Sequence, residues 1–180
     1  MTRQIILLLL LIEISATVKG QTFTLNSTTF NVGDLYVPRQ NILFDLNNWT
    51  IKTENYPQLD SIAVFLKTNN KLMLEVGYHT DTKTKETCYC MSLTMKRAES
   101  ITNYLIEKGV NPKRFIAKGY DDNKPNVVDS LNSIKYPFLP KGKVLTESFI
   151  NSLSSDEEKM TAHMLNRRVE FKIISTKFKE

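Results

Sequence analysis

Gly77 to Ser100, GYHTDTKTKETCYCMSLTMKRAES, sets His79, Asp81, Cys88, Cys90 and Arg97 in close succession. Three chemistries use such residues: holding a metal, exchanging thiols, or gripping a ligand by charge. Cys88 and Cys90 are separated by a single residue, which is neither the redox CxxC spacing nor a zinc half-site, and no second ligand pair accompanies them. His79 is available as a third ligand, so a metal- or thiol-redox-handling site on Cys88, Cys90 and His79 stays open, whereas His163 is remote in sequence. A bond between cysteines at i and i+2 closes a small strained ring, which favours two reduced or weakly paired thiols. Ser92, His79 and Asp81 lack the nucleophile elbow or oxyanion-hole sequence of a hydrolase, and the chain has no glycine-rich phosphate loop. Asp81 and Arg97 suit the third chemistry. A carboxylate attracts an ammonium group and the guanidinium fork matches a carboxylate bidentately, so the pair suits the two ends of a zwitterionic amino acid. The plainer alternatives are a turn residue at Asp81 and a solvated helix residue at Arg97.

The flanking elements decide whether this pair meets. Asn41 to Leu46, NILFDL, reads as a short buried strand closed by Asn47 and Asn48. A helix follows from about Pro57, with Leu59, Ile62, Ala63 and Leu66 at helical spacing and Asn69 and Asn70 as its stop. Leu72, Leu74, Val76 and Tyr78 alternate within Lys71 to Tyr78, giving a strand. The next helix carries Ala98, Ile101 and Leu105 as its stripe, then Lys108, Gly109 and Pro112 as C-terminal signals. RFIAKGY, Arg114 to Tyr120, predicts a third strand, and RRVEFKII, Arg167 to Ile174, a fourth with Val169, Phe171 and Ile173 on one face. The long segment Asp121 to Leu165, with Pro125, Pro137, Pro140 and Gly142, reads as a surface insertion holding helices from about Thr146 and Asp156, capped by Thr146 and Ser155. This order implies an α+β fold, one mixed β-sheet with helices packed on it. Asp81 then leaves a strand and Arg97 enters a helix on either side of one loop, where ligands commonly bind.

A chain of 180 residues, 41% hydrophobic and 24% charged, is about one globular domain. Arg3, the apolar run Ile5 to Ile12 and the small-residue end at Val18 and Gly20 read as a secretory signal peptide over 1–20. The run is shorter than the roughly 20 residues that span a bilayer, and Glu13 interrupts it, so the mature chain is expected to carry no transmembrane segment. No cysteine stands near the cut for lipid attachment. A polar leader, 21–39, precedes the domain proper, 40–176, with the insertion at about 121–165. Losing Arg3, Lys19 and Glu13 lowers the net charge from +5 to +4. The basic residues mix with Glu54, Glu75, Asp121 and Glu157, which excludes a nucleic-acid-binding face.

LFDLNNWTI, VGYHTD, SLTMKRAESITNYLIEKGV, RFIAKGYDDNKP and NRRVEFKI, in that order over about residues 41 to 174, resemble the OmpA-like domain. That family binds peptidoglycan non-covalently in the Gram-negative cell envelope. The resemblance implies that Asp81 takes the amino group of peptidoglycan diaminopimelate and Arg97 its carboxylate, with Asp45, Thr80, Leu93, Asn166 and Arg167 around the peptide. It further implies no enzyme activity, no cofactor and no metal. The protein would reside in the periplasm or at the outer membrane, with peptidoglycan and outer-membrane proteins as partners. Thr84 stands where the family carries glycine, Cys90 aligns with its asparagine, and the Asp81 to Arg97 interval is one residue longer. These departures keep open a partner-binding OmpA-like domain that has lost its ligand, beside the metal or thiol alternative.

Overall fold

The computed structural model describes residues 20–42, 44–81 and 93–179. The signal peptide expected over 1–20 lies outside these residues except for Gly20, and Thr84, Cys88, Cys90 and Ser92 lie outside them too. The elements run β1 (Leu35–Tyr36), α1 (Tyr56–Thr68), β2 (Met73–His79), α2 (Leu93–Glu107), β3 (Phe115–Asp121), α3 (Ser130–Lys135), α4 (Glu147–Asn151), α5 (Asp156–Asn166) and β4 (Arg168–Ser175). They form an α+β fold around a mixed sheet of order β1-β4-β2-β3. β2 and β3 are parallel, whereas β4 is antiparallel to β1 and β2.

The expected alternation in β2 is what splits the two faces of the sheet. Leu74, Val76 and Tyr78 join Leu59, Ile62 and Leu66 of α1, Ala98, Ile101 and Leu105 of α2, and Val169, Phe171 and Ile173 of β4 in one buried cluster. Glu75, Gly77 and His79 point the other way. A parallel pair needs a crossover, and α2 supplies it. The consequence is positional: the exit of β2, the entrance of α2, the exit of β3 and the entrance of β4 share one end of the sheet.

No strand forms among the described residues of 41–46. The place beside β4 is taken by β1, whose Leu35 and Tyr36 pair with Lys172 and Phe171. Ile42 is still fully buried, but the chain then turns, with Asn48 N–H donating to the Asp45 carbonyl at 3.1 Å. The leader packs on the domain. Phe23 is buried among the rings of Phe30, Tyr36 and Phe65, and Asp34 accepts the N–H groups of Gln21 and Asn31 at 2.9 and 2.8 Å.

The insertion has a core of its own, where Val128, Leu139, Leu145, Ile150 and Ala162 are buried together. Its helices begin where capping chemistry directs. Thr146 caps α4, and Ser155 with Glu158 forms a reciprocal capping box on α5. The short α3, capped by Asp129, had no counterpart in the sequence reading.

Candidate functional site

The end of the sheet shared by these termini gathers the charged residues. Asp81, two residues beyond β2, is 2% exposed. Its Oδ2 lies 3.6 Å from His163 Nδ1 and 3.7 Å from Arg167 Nε. His163 and Arg167 are four apart at the end of α5, the spacing that puts side chains on one helical face. Thr80 donates its N–H to the Asp121 carbonyl at 2.9 Å, and its buried hydroxyl makes no hydrogen bond among the described residues. Asp121 sits in the left-handed region, φ 47°, which aspartate tolerates better than most residues, and its carboxylate accepts the hydroxyl of Thr94 from the first turn of α2. The exits of β2 and β3 are thereby bound to α2.

Arg97, on the second turn of α2, is 7% exposed. Its Nε donates to the Asn48 carbonyl at 2.9 Å and Nη2 to the Asp45 carbonyl at 3.1 Å. The guanidinium lies 5.2 Å from the ring centre of Phe44 and 5.3 Å from that of Tyr78. Two backbone acceptors and two rings therefore hold the group, and its Nη1 makes no hydrogen bond among the described residues.

The remaining expected residues divide by what their atoms do. Asp45 offers its backbone carbonyl to Arg97, while its carboxylate is 64% exposed and paired with Lys52 Nζ at 2.6 Å. Asn166 is buried as a clasp: Oδ1 accepts the Asn126 N–H at 2.8 Å and Nδ2 donates to the Leu145 carbonyl at 2.9 Å. Leu93 is buried at the start of α2. Arg167, 42% exposed, reaches Asp81.

Behind this end, His79 is fully buried and stacked on Tyr120, ring centres 4.8 Å apart. Gly77 permits the stack, because a Cβ there would meet Tyr120 Cε2 at 2.9 Å. His79 Nε2 lies 3.2 Å from Glu170 Oε2 without hydrogen-bond alignment, and Arg168 Nε donates to Glu170 Oε1 at 2.7 Å. Burial holds His79 below the ordinary histidine range, against the opposing pull of Glu170. Burial alone would raise Glu170, but His79 and Arg168 outweigh it and bring the carboxyl to about 2.

The sequence model described as the OmpA family matches residues 43–135, just over half of the chain. This protein belongs to the OmpA family. The OmpA-family chain is 35% identical over 86 residues to the peptidoglycan-associated lipoprotein of Buchnera aphidicola, which covers 47% of this chain and 48% of that one. It is 29% identical over 84 residues to outer membrane porin F of Pseudomonas fluorescens, covering 47% of this chain and 26% of the porin. It thus spans half or less of the length of these curated relatives. Among solved structures, the cell wall anchor of the T6SS from Pseudomonas aeruginosa matches with TM-score 0.50 at 23% identity, covering 74% of this chain and 75% of the other. The periplasmic domain of Helicobacter pylori MotB matches with TM-score 0.51 at 19% identity, covering 78% and 72%. These likenesses show the shared fold.

Sequence reasoning set His163 aside as remote, yet it lies against Asp81. The available signal was its place near the end of the helix anticipated from Asp156, four residues before Arg167. The use of the Asp45 and Asn48 carbonyls left no signal, because a backbone acceptor is common to every residue type.

Proposed function

We propose that this OmpA-family domain binds peptidoglycan non-covalently through the diaminopimelate of its stem peptides and tethers an envelope component to the wall. The observation that carries this reading is the buried Asp81 at the exit of β2 and the buried Arg97 at the entrance of α2, both at one end of the sheet. Asp81 receives the ligand's ammonium group, and Arg97 receives its carboxylate on the edge of the guanidinium turned away from Asp45 and Asn48. Phe44 and Tyr78 flank that guanidinium and shield it from water, which strengthens a charged hydrogen bond. Thr80, Leu93, Asn166 and Arg167 form the surroundings. The role is binding rather than catalysis.

Names among the relatives support it: one is a peptidoglycan-associated lipoprotein, another a cell wall anchor. An exported protein of the Gram-negative periplasm, cut after residue 20 and set beside outer-membrane proteins, fits this role. Among the described residues no helix is long and apolar enough to cross a membrane. Sedimentation with purified peptidoglycan tests the proposal. Wild type is expected to pellet with the wall and the Asp81→Ala, Arg97→Ala double variant to remain in solution; equal pelleting of the two would remove Asp81 and Arg97 from consideration as the binding site.

A further inference from the structure

We infer that His163, a residue outside every motif quoted above, is a positioning residue that fixes the Asp81 carboxylate for the ligand's ammonium group. The inference rests on the proposed reading of Asp81. A carboxylate that is 2% exposed needs partners, because a buried charge without them is neutralised. His163 and Arg167 approach the same oxygen, Oδ2, but they differ in freedom. Arg167 is 42% exposed on a long flexible stem, so it can swing away and yield its place to an ammonium. His163 is 3% exposed and short, on a helix whose neighbouring Ala162 is locked into the insertion core. It stays where it is.

The two partners therefore have different roles. A guanidinium kept on Asp81 would compete with the ligand's ammonium group for the same oxygen, whereas a short ring held in the helix sets the direction of the carboxylate without moving into the ligand's place. Contacts of 3.6 Å are longer than hydrogen bonds, and such distances commonly tighten when a ligand fills the site. The insertion gains a purpose from this. Its core, which holds Ala162, and the Asn166 clasp to Asn126 and Leu145 fix the end of α5, and so the height of His163 over the exit of β2.

The chain has two histidines, so imidazole nitrogen NMR of the full chain shows two sets of signals, which the His163→Asn variant assigns. Titration of wild type with free diaminopimelate is expected to move the signals of His163 and to leave those of His79 nearly still. In parallel, His163→Leu is expected to weaken diaminopimelate and peptidoglycan binding about tenfold, and His163→Asn, which returns an amide near the place of Nδ1, to recover most of it. Binding by wild type with unmoved His163 signals, or a folded His163→Leu that binds as wild type does, overturns the inference and leaves the reading of Asp81 standing. A wild type that binds neither probe overturns both. The wild-type spectra decide even where a variant fails to fold.

Discussion

Arg97 has five donor hydrogens, and two of its nitrogens are already engaged by backbone carbonyls of the turn at Asp45 and Asn48. The same side chain thus shapes one wall of the candidate site and, in the proposed reading, turns its remaining edge to the ligand. Lysine carries the charge but cannot hold two carbonyls in a fixed plane while offering a third edge. Arg97→Lys is expected to lower diaminopimelate affinity about tenfold, with a blue or red shift of Trp49 emission in the free protein as the turn loosens. Trp49 directly follows Asn48 and is the single tryptophan of the chain, so titration fluorescence reads both effects. An unchanged affinity would show that the fork geometry is dispensable. Asp81, Arg97 and Arg167 stand out as candidates in the sequence because their charge and motif context mark them. His163 was not, since a long proline-broken insertion separates it from Asp81 and only folding brings the two together.

At the level of elements, periodicity was a sound guide wherever an element is long enough to repeat its pattern. α1, α2, β2, β3 and β4 all lie close to their expected places. β1 has two residues, too few to show any alternation, and NILFDL imitated a strand because short apolar runs do not distinguish a strand from a buried loop. Its apolar residues still had to be buried, and Ile42 is. The polar composition of the leader likewise concealed Phe23, which stacks on Phe65 of α1 with ring centres 5.7 Å apart. Phe23→Ala is expected to destabilise the domain by about 3 kcal/mol, because it empties an aromatic site in the main core. Urea denaturation measures this, and a loss below about 1 kcal/mol would mean that the leader is only draped over the surface.

Across the whole molecule, one sheet face carries α1 and α2 and the other a charged layer, in which His79 and Arg168 are buried and Glu170 is partly buried. The folded protein keeps His79 below its ordinary value of 6.5, so the unfolded chain takes up a proton first as pH falls. Stability from this group is complete above about pH 6.5 and declines below it. Glu170, lowered from 4.5 to about 2, adds a further loss as pH falls below 4.5. Thermal melts from about pH 8 to about pH 3 are expected to show a constant Tm, then a gentle fall, then a steep one; a Tm constant down to about pH 5 contradicts the His79 assignment. The same sheet has two unequal borders. Among the described residues β3 takes its ladder hydrogen bonds from β2 alone, leaving a seven-residue outer edge, while the far side of β1 is already engaged, Leu35 donating its N–H to the Gln21 carbonyl at 2.8 Å and accepting the Phe23 N–H at 2.9 Å. Long open edges recruit strands from other molecules. Here Lys118 stands in the middle of that edge, its ammonium 2.6 Å from Glu75, with Gly119 beside it and left-handed Asp121 ending the strand. Lys118 and the left-handed Asp121 therefore make this border a poorer template for a foreign strand than its length alone would give.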